Sequence, residues 1–175
     1  MIRDLKDFSL EMVKPSHQDA LYQAFNGNKD YLSTYLDFVK DLNYEELGQA
    51  IRAYEGKTIM GQGSLFGLFK DGACLGMVSL SLDAYNSKAE LGYWLGQAYT
   101  GRGYMTRAIE EVMRICFDLY RVHKVYVKIA HTNTRSIKLA ERLGFSYEAR
   151  LRDHQRINGE YYDLLVYSML KKEWD

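Results

Sequence analysis

One stretch combines residue types that could hold a phosphate. It reads Tyr93-Trp94-Leu95-Gly96-Gln97-Ala98-Tyr99-Thr100-Gly101-Arg102-Gly103-Tyr104-Met105-Thr106. It leaves an apolar, strand-like segment, turns on two glycines and enters a segment of helical periodicity. The first N–H groups of a helix lack internal acceptors and carry the positive end of its dipole. Glycines let the backbone approach a bulky anion closely. Arg102 and Arg107 add positive charge, and no Asp or Glu lies between Gly96 and Ile109. A pyrophosphate would suit this arrangement, although on the glycines alone an ordinary strand-to-helix turn is the simpler reading. A Walker loop needs Gly-Lys-Ser/Thr, which is absent. A dinucleotide loop needs a third glycine where Thr106 stands.

The elements around this stretch follow from periodicity and turn chemistry. Phe8 to Val13 alternates weakly and reads as a first strand. Ser16 with Asp19, and Asn43 with Glu46, have the spacing of helix N-terminal capping pairs. They predict helices running to about Leu36 (with a second short one) and to about Glu55. Ser64 to Lys70 and Cys74 to Leu82 flank Asp71-Gly72, a strong hairpin signal. Lys88 to Leu95 follows a turn at Asn86-Ser87. From Gly103 to Tyr120 the apolar residues recur at three-and-four spacing, which predicts an amphipathic helix. Lys124 to Ala130 is a β-branched strand. Arg135 to Leu143 is a short helix stopped by Gly144. Phe145 to Leu151 and Tyr161 to Leu170 are strands, the second following a turn at Asn158-Gly159. Helices and a parallel connection embedded among antiparallel pairs make the fold class α/β with a mixed sheet. The 175 residues suit a single domain spanning 1–175.

At this point the chain resembles the GNAT acetyltransferase superfamily, in particular the branch of the ribosomal-protein N-terminal acetyltransferases RimJ and RimL. Four blocks carry the resemblance, in order. Ala89 to Leu95 resembles the central strand and Tyr99 to Thr106 the acetyl-CoA loop. Asn133-Thr134-Arg135-Ser136-Ile137-Lys138-Leu139-Ala140-Glu141-Arg142-Leu143-Gly144-Phe145 resembles the second coenzyme helix. Asn158 to Asp163 resembles the hairpin before the last strand. Thr100 and Met105 depart from the usual ends of the loop, which leaves its backbone contacts in place.

The resemblance implies a mostly antiparallel twisted sheet, with a central parallel pair splayed to hold acetyl-CoA and helices on its flanks. The coenzyme would contact Trp94, Leu95, Thr100, Gly101, Arg102, Gly103, Tyr104, Met105, Thr106, Asn133 and Ser136. Its pantetheine would pair with backbone near Trp94 and Leu95. Glu90, alternating with Gly92 and Trp94, would act as base toward the amine; its plain alternative is a solvated strand residue. Many relatives place a tyrosine acid seven residues beyond the asparagine, where this chain has Ala140. Ser136 would then protonate the departing thiolate, or else merely bond to the helix backbone. Asn133 could contact the coenzyme, cap the helix, or do both. The expected reaction is direct acetyl transfer to a primary amine, most simply a protein N-terminal α-amine such as that of a ribosomal protein. A polyamine or antibiotic acetyltransferase and a non-catalytic acyl-CoA-binding module are the alternatives.

Composition sets outer limits. Lys and Arg number 23, as do Asp and Glu, so no general excess of positive charge points to nucleic acid or a membrane surface. Cys74 and Cys116 sit in apolar stretches, which favours buried thiols and a cytoplasmic setting. No Cys/His cluster has zinc-ligand spacing, so no metal is expected. The N-terminal residues are too charged for a signal-peptide core. Homo-oligomerisation is left open.

Overall fold

The computed structural model describes residues 1–174. Eight strands form one sheet: β1 (Ile2–Asp4), β2 (Ser9–Met12), β3 (Gly63–Lys70), β4 (Ala73–Asp83), β5 (Lys88–Leu95), β6 (Lys124–Ala130), β7 (Ser146–Ile157) and β8 (Glu160–Leu170). Their order is β1-β2-β3-β4-β5-β6-β8-β7. Every neighbouring pair is antiparallel except β5 and β6, which are parallel. This is the mixed sheet read from the sequence, with β5 and β6 at the expected bounds.

The α-helices are α1 (Gln18–Gly27), α2 (Lys29–Leu32), α3 (Tyr44–Ile59), α4 (Tyr104–Arg114) and α5 (Thr134–Arg142). The Asn43 capping box forms: Asn43 Oδ1 accepts from the Glu46 N–H at 2.9 Å, and Glu46 Oε2 accepts from the Asn43 N–H at 3.3 Å. α3 runs on to Ile59, four residues beyond the expected end at Glu55, and carries Gly56 within its last turn. The Ser16 cap does not form. Pro15 opens a 3₁₀ turn instead, the Lys14 N–H donates to His17 Nδ1, and Asp19 accepts from the Tyr44 hydroxyl.

The two faces of the sheet are covered differently. α4 buries Met105, Ala108, Ile109, Val112 and Met113 against Val78, Leu80, Ala89, Leu91, Val125 and Val127. Each large side chain in that interface contributes about 1.5–3 kcal/mol of burial. The helical pattern expected to Tyr120 is α-helical only to Arg114. A π-helical turn covers Ile115–Leu119 and carries Cys116 and Phe117 into the core. On the other face α1–α3 pack Leu21, Phe25, Leu32 and Ile51 over Leu65, Phe69, Cys74 and Trp94. Both cysteines are free and buried, and burial pushes each thiol up to about 12, which keeps them unreactive near neutral pH.

Candidate active site

The parallel pair separates part-way along its length. β5 and β6 pair over four positions, from Lys88 opposite Lys124 to Leu91 opposite Val127. Beyond that point β5 stays paired with β4 as far as Leu95, and β6 with β8 as far as Ala130. The last residues of the two strands therefore carry unpaired inner edges that face one another across a gap. A sheet opened in this way offers backbone N–H and C=O groups to an extended ligand.

The glycine turn lies at one lip of the gap. After β5 the chain makes a short 3₁₀ turn, Gln97–Tyr99, and the Gln97 N–H donates to Asn28 Oδ1 at 2.9 Å. Asn28, between α1 and α2, thus pins the start of the loop. Gly101 and Gly103 both adopt left-handed conformations, with φ of 77° and 75°. A non-glycine residue held there costs about 1–2 kcal/mol. Gly103 is the N-cap of α4, no side chain caps the helix, and its first turn contains no acidic residue. Among the described residues, the N–H groups of Gly101 to Thr106 have no acceptor. The arrangement is an anion-binding turn.

Side chains in the turn divide by role. Tyr104 and Met105 are buried in the core, so only their backbone is available to a ligand. The Thr100 hydroxyl donates to the Gln97 carbonyl at 2.8 Å. Arg102 is exposed and forms no ion pair among the described residues. Arg107 departs from its expected role as a phosphate-facing charge. It donates to Asp7 Oδ1 at 2.6 Å and to the Leu5 carbonyl at 2.8 Å, and stacks over Phe8. A further cation, Arg142, reaches the turn from α5 and donates to Thr106 Oγ1 at 3.3 Å.

Glu90, Gly92 and Trp94 project to the face covered by α1–α3. Glu90 Oε2 accepts from the Tyr126 hydroxyl at 2.9 Å and from Lys128 Nζ at 3.1 Å, and its side chain keeps 36% exposure. Among the described residues, Oε1 has no partner. Glu90 is thus held in one orientation with one oxygen free, rather than loosely solvated. Burial, and secondarily the bond to Glu90, pushes the Tyr126 hydroxyl up to about 12, so it remains a neutral donor. Trp94 packs against Phe25 with ring centroids 4.5 Å apart. Its indole N–H is the one buried side-chain donor without an acceptor among the described residues.

Ser136 approaches from the opposite face. Asn133 Oδ1 accepts from the Ser136 N–H at 3.2 Å, so Asn133 caps α5 as one of its expected roles. The Tyr93 hydroxyl crosses the gap to donate to the Ser136 carbonyl at 3.3 Å and ties α5 to β5. Burial pushes this tyrosine up to about 12 as well. The Ser136 hydroxyl makes no bond to the helix backbone or to any other described residue. Ala140 is 2% exposed and lines a narrow apolar crevice with Tyr93, Ile109, Val127, Leu143 and Phe145. Asp163 and Tyr167 are engaged elsewhere. Asp163 accepts from the Asp153 N–H and the Arg150 guanidinium, which hold its carboxyl below the usual range. The Tyr167 hydroxyl donates to Glu141 at 3.2 Å.

The profile described as "Acetyltransferase (GNAT) domain" matches residues 8–146. The chain belongs to this GNAT family. YdaF of Bacillus subtilis (strain 168) is 39% identical over 110 residues, 62% of this chain and 60% of that one. The chain therefore spans less than two thirds of the length of that curated relative. The ribosomal-protein-serine acetyltransferase of Escherichia coli (strain K12) is 25% identical over 173 residues, 97% of this chain and 96% of that one. Among solved structures, a RimL ribosomal L7/L12 α-N-protein acetyltransferase in complex with coenzyme A superposes with a TM-score of 0.92. It covers 97% of this chain and 98% of that one at 23% identity, which establishes a shared fold. The GNAT fold expected from the sequence, with its splayed parallel pair, is the fold observed. No group of His, Cys, Asp or Glu among the described residues could hold a metal ion. No helix among them is long and apolar enough to cross a membrane.

Proposed function

We propose that this chain is an acetyl-CoA-dependent N-acetyltransferase acting on the α-amine of a polypeptide. The observation that carries the reading is the gap between β5 and β6 with an acceptor-free N–H turn at its lip. Acetyl-CoA would lie along this site. Its pyrophosphate would take the N–H groups of Gly101 to Thr106, and its pantetheine would pair with the free edge of β5 near Trp94 and Leu95. A backbone N–H on that edge would stabilise the thioester oxygen as it becomes an oxyanion. Family membership supports the coenzyme, and the ribosomal-protein-serine acetyltransferase relative supports a protein acceptor.

In the mechanism, the amine enters from the face of Glu90 and the thioester from the face of α4 and α5. Only a neutral amine attacks. An α-amine with a pKa of roughly 8 is about 10% neutral at pH 7, a cost near 1.4 kcal/mol, whereas a lysine near 10.4 costs roughly 4.6 kcal/mol. Glu90 takes the proton through Oε1, directly or through one water. The Ser136 hydroxyl donates to the sulfur as the tetrahedral intermediate collapses and the C–S bond breaks.

The charge beside the gap favours an α-amine over a polycation. Lys128 neutralises Glu90 there, so a polyamine would meet a balanced pair rather than an acidic groove. Lys128→Met leaves that carboxylate uncompensated. It is expected to raise kcat/KM for spermidine relative to a free-N-terminus peptide about fivefold, taking ~1 kcal/mol for a partly exposed charge. An unchanged ratio would remove Lys128 from acceptor choice.

Ser136→Ala is expected to lower turnover by about 10²-fold with acetyl-CoA affinity little altered. Because the hydroxyl bonds to no backbone group, stability should move by less than about 0.5 kcal/mol. Normal turnover would reverse the assignment. The reading as a whole is tested by thiol release from acetyl-CoA with peptides bearing free N-termini, spermidine and aminoglycosides. Release with peptides is expected; tight coenzyme binding without release to any amine would leave a non-catalytic acyl-CoA-binding module.

A further inference from the structure

We propose that Lys128 is a self-acetylation site: with no polypeptide in the acceptor position, the protein transfers acetyl from the coenzyme to its own Lys128 Nζ. This rests on the acetyl-CoA reading above. The last paired position of β5 and β6 is Leu91 opposite Val127. The next residues, Gly92 and Lys128, therefore flank the closed end of the gap. Lys128 Nζ donates to Glu90 Oε2 at 3.1 Å. An amine is thus held against the base, on the face from which the acceptor enters. Gly92 leaves room beside the β5 edge. A side chain at that position would meet Ser79 Oγ at 2.7 Å, on the β4 side, and no atom of β6 within 4 Å.

The ion pair does not lock this lysine. Its side chain is 31% exposed and that of Glu90 36%, and pairs so exposed hold their partners weakly. The two other lysines at this part of the strand pair have their own carboxylates, Lys88 with Asp83 and Lys124 with Glu148, so Lys128 is the one directed at the base. An ordinary lysine is neutral in only about one molecule in 2,500 at pH 7, which makes exposed lysines slow acceptors. Position offsets that deficit. Well-oriented groups within one molecule reach effective concentrations of roughly 10⁵ M and above, and a small part of that gain is enough. In the step, the ammonium gives one proton to Glu90 Oε2, which passes it to solvent. Neutral Nζ attacks the thioester carbon, the N–C bond forms and the C–S bond breaks. The sulfur leaves as thiol with the proton of Ser136, made good by the second proton lost from nitrogen. The sum is one acetyl-lysine, one free thiol and one proton released. The amide carries no charge, so the ion pair with Glu90 is lost with it.

The test incubates the purified protein with acetyl-CoA alone and follows acetylation of each lysine by peptide mass spectrometry. The exposed Lys40 and Lys57 report the chemical background. Lys128 is expected to acquire acetyl at least about tenfold faster than either, at a rate per molecule that does not change with protein concentration. Glu90→Gln should slow Lys128 by about 10²-fold or more and leave Lys40 and Lys57 unchanged. A saturating peptide with a free N-terminus should suppress the label on Lys128, because both amines use one position. Lys128→Arg, which keeps the charge, should show no acetyl at that residue and no other lysine above background; circular dichroism checks its fold. Labelling of Lys128 at the background rate, by a protein that acetylates peptides, would overturn self-acetylation and leave the acetyltransferase reading standing. Labelling above background that Glu90→Gln does not slow would overturn the role of the base in it. Failure to acetylate either Lys128 or any peptide would overturn the acetyltransferase reading itself.

Discussion

Gly103→Glu is expected to weaken acetyl-CoA binding by at least about 10²-fold in a protein that remains folded. Gly103 holds φ at 75°, and a side chain added there would meet nothing within 4 Å. The substitution therefore carries backbone strain of about 1–2 kcal/mol but no collision. Its carboxylate would stand at the N-cap of α4, where acids are stabilising, and would occupy the N–H groups meant for the ligand. It would also repel the pyrophosphate. At an effective dielectric near 20, two charges about 4 Å apart cost ~4 kcal/mol, nearly three orders of magnitude in Kd; a half-screened charge still removes about 30-fold, and the loss of the N–H groups adds to it. Gly103→Ala provides the control, since it keeps the strain and omits the charge; its loss should be about tenfold at most. Calorimetry together with circular dichroism separates these effects. Unchanged affinity in folded Gly103→Glu would remove the pyrophosphate from this turn.

Glu90→Gln should lower turnover at neutral pH by about 10²–10⁴-fold, the usual range for a positioned acid or base. The amide keeps the shape of the side chain, and its carbonyl can still accept from Tyr126 and Lys128, as Oε2 does at 2.9 and 3.1 Å. What it loses is a site for the proton. Part of the activity should return as pH rises, because more of the acceptor is then neutral without help. Tyr93 and Tyr126 are both pushed up to about 12, so neither titrates over the range in which the amine does. The recovery thus reports the acceptor. Wild-type turnover across the whole range would leave Glu90 as the ionic partner of Lys128 and nothing more.

The parts of the fold legible in the sequence are those governed by local rules. β5 and β6 begin and end where their apolar patterns do, and the Asn43–Glu46 box forms as its spacing requires. β1 was not legible: its three residues, Ile2–Asp4, are all exposed, so no face is buried to impose a pattern. β7 reaches Ile157 rather than Leu151 because it is held by pairing with β8 across two irregularities, one of them near Asp153. Ser16 lost its capping role to Pro15, whose fixed φ starts a tighter turn.

The site divides along the same line. The glycine turn could be read from its residues because backbone conformation and the absence of acid are local properties. The diversion of Arg107 could not, since its partner Asp7 lies 100 residues away. Asn28 and Arg142 act on the turn from distant elements, and nothing in their own spacing announces it. Glu90 and Ser136 were both named from the resemblance. The fold puts them on opposite faces of the sheet, on either side of the gap, which follows only from the register of β5 against β6 and the packing of α5.

The central claim is transfer of acetyl from the coenzyme to a polypeptide α-amine. It is tested most directly by incubating the protein with acetyl-CoA and a peptide that carries one free N-terminus and one internal lysine, then locating the acetyl group by fragmentation mass spectrometry. The account predicts one acetyl group, on the N-terminal nitrogen, formed in step with free thiol and lost when the N-terminus is blocked beforehand. Acetylation confined to the lysine, or to spermidine added as a competitor, would contradict it.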